Sequence, residues 1–288
     1  MRQVIKSGRF VSVENIRIHY QEYGEGHGGP PVLLVHGWPT SSFLWRNVAP
    51  HLAHGGRRVI ALDLPGFGLS DKPLNETYSF RFFSKIVDGF LRELSISGPI
   101  ALVVHDLGGP IGVYWACANA ERVERLALLN TLIYPEMSWA VKLFVLSLRL
   151  PIIRTWITSP GGLGWALRLG VADPAGLAPD AIPGTREPFQ SKSARTALLR
   201  AGRELSVKGF VILSQRLKKF KIPVRMIYGA RDRILPDIAD TARRLQADLP
   251  HAEITALPDC GHFLQEDQPD VVGELLADFF GPARNGKS

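Results

Sequence analysis

The chain is poor in cysteine, in long apolar runs and in negative charge. Only two cysteines, Cys117 and Cys260, occur among 288 residues. They are too few and too far apart for a disulfide framework, which points to free thiols in a reducing, cytoplasmic setting. No stretch approaches the roughly 18 consecutive apolar residues of a membrane-spanning helix. The opening Met1-Arg2-Gln3-Val4-Ile5-Lys6 lacks the apolar region of a secretory signal. The formal charge is +7, and it is unevenly placed. Residues 133–221 carry 14 Lys/Arg against 5 Asp/Glu, a net of +9, which leaves −2 for the remainder. Such a block is one signature of a nucleic-acid or membrane-surface partner, and either would bind salt-dependently. Here the cations follow helical spacing without a nucleic-acid-binding motif, so they read as a solvated basic face able to steer anions or meet an acidic surface.

What the chain does have is core material: 45% hydrophobic and 21% charged residues, ordinary for a globular protein. Short β-branched apolar runs at 31–35, 58–62, 100–104, 126–129 and 224–228 are continuous rather than alternating, as strands buried on both faces require. Helical periodicity at 79–95 and 110–120 separates some of them. The alternation predicts an α/β fold built on a mostly parallel, doubly wound sheet. Residues 8–23 alternate and read as an antiparallel hairpin leading in, and a helix near 269–280 closes the chain. Between 133 and 215 the regularity breaks. Apolar positions from Trp139 to Leu150, then Gly/Pro-rich stretches and further helical segments, fill about 80 residues, far beyond a crossover of about 12 to 20. The expected organisation is a core of residues 1–132 and 216–288, with a helical cap of residues 133–215 inserted after the sixth strand.

Four segments carry chemistry. Val103-Val104-His105-Asp106-Leu107-Gly108-Gly109 ends a buried strand and opens a helix, with two glycines giving the clearance a strained strand–turn–helix elbow needs. Asp106 sits at its centre, above a helix N-terminus that favours an anion. His36-Gly37-Trp38-Pro39 follows another buried strand. Its Trp38 N–H, with that of Leu107, is positioned for an oxyanion or leaving-group pocket. Downstream, Asp232 follows the strand at 224–228, and His262 lies in Pro258-Asp259-Cys260-Gly261-His262. The order nucleophile, acid, histidine makes His262 the expected base and Asp232 its orienting acid. Asp259 and Glu266 are rivals for that acid, but neighbours along one loop rarely converge on one atom. Cys260 and the remaining histidines, including His105, read as packing residues.

These motifs resemble the α/β-hydrolase superfamily, and within it haloalkane dehalogenases. The likeness runs through the stretch from His36-Gly37-Trp38-Pro39 to Arg46-Asn47, through Asp63-Leu64-Pro65-Gly66-Phe67-Gly68-Leu69-Ser70-Asp71-Lys72-Pro73, and through Val104-His105-Asp106. Epoxide hydrolases, close relatives, share the His-Gly-aromatic-Pro version of the first motif. The likeness covers residues 10–130 and 220–280 and is thin between them. Asn130 fits the dehalogenase subgroup whose acid comes from the later strand, as Asp232 does. The resemblance implies an α/β-hydrolase fold and an enzyme with no cofactor and no metal. It would act on a small apolar organic substrate and water, as a monomer or homodimer.

Aspartate in place of the usual serine changes the reaction. Attack on an acyl carbon would yield an anhydride and gain little, whereas attack on a saturated carbon leaves an ordinary ester that His262-activated water can hydrolyse. Dehalogenases, as the resemblance implies, clamp the halide with side-chain N–H donors. Here the position after the nucleophile is Leu107, so Trp38 or the cap tryptophans Trp139, Trp156 and Trp165 are the remaining candidates. Epoxide hydrolases protonate the opening oxygen with cap tyrosines; residues 135–227 contain none, leaving Tyr134 at the edge. Phe144, Leu148, Trp165, Leu169 and Phe189 would suit either an apolar pocket or the cap's own core. The first expectation is a haloalkane dehalogenase-like hydrolase. Epoxide and β-lactone substrates are alternatives, and so is a non-catalytic ligand receptor on the same fold.

Overall fold

A computed structural model describes residues 8–281. Eight strands form one sheet: β1 (Arg9–Val13), β2 (Ile16–Tyr23), β3 (Val32–Val35), β4 (Val59–Leu62), β5 (Ile100–Asp106), β6 (Val123–Thr131), β7 (Val224–Gly229) and β8 (Glu253–Leu257). Their spatial order is β1-β2-β4-β3-β5-β6-β7-β8. The β1–β2 and β2–β4 pairings are antiparallel, and all the others are parallel. The five apolar runs fall on β3 to β7 because each is buried on both faces. Leu33, Val35, Leu102, Val104, Leu126 and Leu128 join one core, while Val32, Leu34, Ala101, Val103, Ala127 and Leu129 join the other. A period of two therefore divides each strand between two cores. Each buried Leu, Val or Ile contributes roughly 1.5–3 kcal/mol over the exposed state.

Twelve α-helices accompany the sheet in the described residues. Those preceding β6 are α1 (Ala49–His54), α2 (Phe80–Glu93) and α3 (Gly108–Ala118). After β6 come α4 (Trp139–Ser147), α5 (Pro151–Ile157), α6 (Pro160–Gly170), α7 (Ala181–Arg186), α8 (Lys192–Ala201) and α9 (Val207–Leu217). The last three are α10 (Ile238–Asp248), α11 (Leu264–Asp267) and α12 (Pro269–Phe280). Helices α1 and α12 pack together under the second core, and α2, α3 and α9 pack side by side over the first. α2 begins cleanly because the Ser79 hydroxyl accepts the Phe82 N–H.

The helices between β6 and β7 do not share one role. α9 lies against α3 on the body of the fold. α4, α7 and the turn at Phe189 lean on loops that follow the strands' C-terminal ends, and α5 packs on α6. Phe144 of α4 meets Trp38, Gly184 of α7 sits against Phe43, and Phe189 meets Phe67. Arg46, after β3, clasps this region by pairing with Asp180 at 3.0 Å and with Glu266 at 2.6 Å. The strand-end face of the sheet, where α/β folds place ligands, is thus covered. None of the described helices is long and apolar enough to cross a membrane.

Candidate active site

β5 ends in a sharp turn at Asp106, whose φ of 48° lies in the left-handed region. A non-glycine residue accepts that strain only where surroundings over-determine it. Here Thr131, at the end of β6, donates its hydroxyl to the Asp106 carbonyl at 2.6 Å. Gly109 stands where any Cβ would collide with that same threonine oxygen, so the second glycine of the motif lets strand and helix meet. Gly37 has a like purpose: a Cβ there would strike Asp106 itself. The chain can therefore bring the Trp38 N–H to 2.6 Å from Asp106 Oδ1. The Leu107 N–H also supports this carboxylate.

The other carboxylate oxygen, Oδ2, faces His262, whose Nε2 is 3.3 Å away. That contact is outside hydrogen-bond alignment, and Nε2 has no other hydrogen-bond partner. On the far side, His262 Nδ1 lies 2.9 Å from Asp232 Oδ2. Asp232 is fixed in turn. Its Oδ1 accepts the N–H groups of Ile234 and Leu235 at 2.7 and 2.8 Å, and Asn130 Nδ2 donates to Oδ2 at 2.6 Å. Asn130 also donates to the Gly261 carbonyl and accepts the Gly229 N–H, so one amide ties β6, β7 and the histidine loop together. Its own φ is 33°. The His262 N–H donates to the carbonyl of Gly170, joining α6 to the same loop.

Burial would push the His262 imidazolium toward neutrality, but the charges of Asp232 and Asp106 outweigh it and raise the pKa to about 10. Burial raises Asp106 and Asp232, and in both the adjacent His262 more than reverses it, so both carboxyls stay below their ordinary value. His105 is held neutral, near 4, by burial and by the neighbouring His262 charge. Its Nε2 sits 3.0 Å from the His262 carbonyl. The loops on the opposite flank are set by Asp63, brought to about 2: burial is overcome by His19 at 2.7 Å and by the Ser42 and Leu69 N–H groups.

Asp106, His262, Asp232 and the backbone of Trp38 and Leu107 therefore converge. The other sequence-based candidates do not. The Trp38 indole N–H donates to the carbonyl of Leu198 on α8 at 3.1 Å, so it is spent on tying down a helix. Trp139 is 72% exposed on α4. Trp156 and Trp165 are half exposed and lean on each other at 5.4 Å. The Tyr134 hydroxyl bonds Asp248 at 3.0 Å, beneath the Arg244 guanidinium, and burial lifts it well above the usual phenol value. The rival acids are otherwise engaged as well, Asp259 with Arg231 and Glu266 with Arg46. Among the proposed lining residues, Leu148 and Phe189 are buried, Phe144 packs on Trp38, and Trp165 faces outward. Thr131, Leu198 and Arg46 were not foreseen. Only Arg46 lies in a stretch the motifs had singled out.

The α/β-hydrolase fold family model matches residues 30–150. Haloalkane dehalogenase 2 of Mycobacterium tuberculosis is 31% identical, covering 92% of each chain. A cis-3-alkyl-4-alkyloxetan-2-one decarboxylase of Shewanella oneidensis is 30% identical over 91% of this chain and 85% of that protein. Among solved structures, the haloalkane dehalogenase DbeA of Bradyrhizobium elkani superposes with a TM-score of 0.83 at 26% identity, over 94% of this chain and 96% of that one. The eight-stranded topology, the site at the strand ends and this near-complete alignment agree: the chain belongs to the α/β-hydrolase fold family and is a hydrolase homologous to haloalkane dehalogenases.

Proposed function

We propose that Asp106 is a nucleophile toward a saturated carbon, forming an alkyl-enzyme ester that water activated by His262 then hydrolyses. The observation that carries this reading is the division of labour between its two oxygens. Oδ1 accepts the Trp38 N–H, the Leu107 N–H supports the carboxylate, and Oδ2 faces the histidine. In the first step an Oδ2 lone pair forms the C–O bond while the leaving group departs with the old bonding pair. Oδ1 becomes the ester carbonyl, already in its donor pocket. His262 Nε2 then takes a proton from water and the resulting hydroxide adds to Cγ. The charge that develops on Oδ1 meets donors that need not move. Collapse expels the alcohol, which takes the proton back from His262. Asp232 keeps the Nδ1–H tautomer and orientation throughout. Helices α4 to α8 act as the cap over this chemistry.

The leaving group is constrained by what surrounds it. A halide needs N–H donors in exchange for its hydration, yet Leu107 has none on its side chain and the Trp38 indole is already engaged with Leu198. An epoxide oxygen needs an acid, and Tyr134 is turned to Asp248. A β-lactone expels a carboxylate that stays attached to the substrate and needs neither. The Shewanella relative, named for an alkyl-substituted oxetanone substrate, favours the same choice. The test is intact-mass spectrometry of the His262→Gln variant with 1-bromohexane, an alkyl epoxide and a dialkyl β-lactone. Accumulation of an adduct on the Asp106 peptide is the expected result, greatest with the lactone. No adduct from any of the three would leave a ligand receptor as the better reading.

A further inference from the structure

The outer face of the cap is built unlike the rest of the surface. Eight large hydrophobic side chains stand exposed between residues 139 and 165, against four elsewhere in the described residues. α4, Trp-Ala-Val-Lys-Leu-Phe-Val-Leu-Ser, is apolar around its circumference yet buries only Val141. α5, Pro-Ile-Ile-Arg-Thr-Trp-Ile, buries no residue at all, and Ile152 is 85% exposed. By helical spacing Trp139, Leu143 and Leu146 share one face of α4 and Ile152 and Trp156 one face of α5, and apolar exposure of this density on two successive helices marks an interaction surface. The charge around it has one sign. Residues 137–172 contain Lys142, Arg149, Arg154 and Arg168 and no Asp or Glu. The flanking Glu136 is already paired with Arg244 at 2.6 Å.

We infer that this face docks on an anionic lipid surface, with α4 and α5 lying in the headgroup layer and the cations meeting lipid phosphates. Apolar side chains, tryptophans at the polar boundary and uncompensated cations on short helices are the chemistry of an interfacial element. No described helix can span a bilayer, so the contact is peripheral. A second copy of this chain fits the face poorly, because a two-fold interface would set the same four cations against themselves. The inner side of α4 carries Phe144, whose ring meets that of Trp38 at 4.8 Å, and the Trp38 backbone N–H holds Asp106. The docking face and the candidate site are therefore separated by the thickness of one helix. If the alkyl-ester reading of the previous subsection holds, on which this consequence rests, the substrate class is a lipophilic electrophile drawn from the bilayer.

The test is flotation of the full chain with phosphatidylcholine vesicles and with vesicles of phosphatidylcholine and phosphatidylglycerol, without substrate. Binding to the anionic vesicles alone is expected, weakening with salt and accompanied by a blue shift of tryptophan emission. Ile152→Asp with Leu143→Asp should abolish flotation while leaving the melting temperature nearly unchanged, since both side chains are mostly exposed. Arg149→Gln with Arg154→Gln should weaken it by about 25-fold, from about five-fold per cation. Three outcomes overturn the inference: no flotation with anionic vesicles, flotation that neither double variant alters, or a self-associated chain that Ile152→Asp makes monomeric while lipid is ignored. Capture of an acidic protein through this face without vesicle binding would overturn it equally. Because no turnover is measured, failure of the alkyl-ester chemistry leaves this result readable, and the reverse is also true.

Discussion

Replacing Asp106 by asparagine gives a direct test of the charge logic, because the amide is a neutral isostere that stands in for the alkylated carboxylate. In the resting protein His262 lies between two carboxylates and holds its proton up to about 10. An imidazolium cannot activate water, so the proposed second step requires the pKa to fall once the ester forms. The contact from Nε2 to Asp106 Oδ2 is 3.3 Å. At an effective dielectric of about 20 that separation corresponds to about 5 kcal/mol. Converted at about 1.4 kcal/mol per pH unit, this is between roughly three and four units. The Asp106 side chain keeps 13% exposure, and solvent screening trims the effect. The expected fall in Asp106→Asn is therefore about 2 to 3 pH units, bringing His262 into the neutral range. Titration of the His262 ring protons by NMR reads this directly. Stability follows the same sign. A raised histidine pKa contributes fully below the unfolded value of about 6.5 and is lost as pH rises through the folded value, so the wild type should lose stability between neutral and pH 10 and the variant should lose less. A His262 pKa within about half a unit of wild type in Asp106→Asn would refute the idea that alkylation switches the base on.

Two other substitutions probe the supporting frame and the leaving group. Asn130→Ala removes two donated hydrogen bonds and one accepted bond, strands a buried Gly229 N–H, and puts alanine at φ 33°. With about 1–3 kcal/mol per unsatisfied buried group, thermal or urea unfolding should report a loss of about 3–5 kcal/mol; turnover should fall further than stability explains, because Asp232 loses its clamp. A loss below about 1 kcal/mol would mean that Asn130 is not the tie between β6 and β7. Leu107→Trp installs an indole N–H beside Asp106, and it should create bromide-dependent quenching of tryptophan emission that the parent lacks while raising activity on 1-bromohexane. Equal quenching in parent and variant would show that a halide donor already exists and that the Trp38 indole is less committed to Leu198 than it stands.

What could be read from the chain depended on how local the determining contacts are. β3 to β7 announce themselves because burial on both faces forces unbroken apolar runs. β8 escaped, because it lies at the sheet's edge and its burial is partial and irregular. The elbow was legible from Asp106 and its two glycines, since steric clearance is a requirement met by neighbours in sequence. The meeting of His262 with Asp232 and Asp106 was legible from chain order, which the topology fixes. The fate of polar side-chain ends was not. The Trp38 indole is bound to Leu198, 160 positions away, and the Tyr134 hydroxyl to Asp248, 114 positions away. Nothing in the local pattern predicts either. The helices after β6 escaped for a different reason. Apolar residues in a helix normally signal a buried stripe, whereas α4, α5 and Trp165 of α6 turn large apolar side chains to the outside, which leaves Trp139, Trp156 and Trp165 away from the halide-donor role the resemblance offered them.

That outward display bears on the leaving group as well. Two backbone N–H groups support the Asp106 carboxylate, that of Trp38 at Oδ1, and in the proposed chemistry they would serve the ester and its tetrahedral successor. Of the two residues beside the carboxylate, Leu107 has no side-chain donor and the Trp38 indole is committed to Leu198. An alkoxide demands a proton, since its conjugate acid is nearly as weak as water. A halide demands replacement of its hydration shell. A carboxylate, already stable as an anion at neutral pH, demands least and can remain tethered to the alkyl product. A site so sparing with donors at that position suits a strained, lipophilic ring that carries its own leaving group. If the docking proposal holds, the apolar outer surface of α4 and α5 is where such a ring would be met. The two features were reached from different residues, Leu107 and Trp38 on one side and α4 and α5 on the other, and they ask for the same kind of substrate.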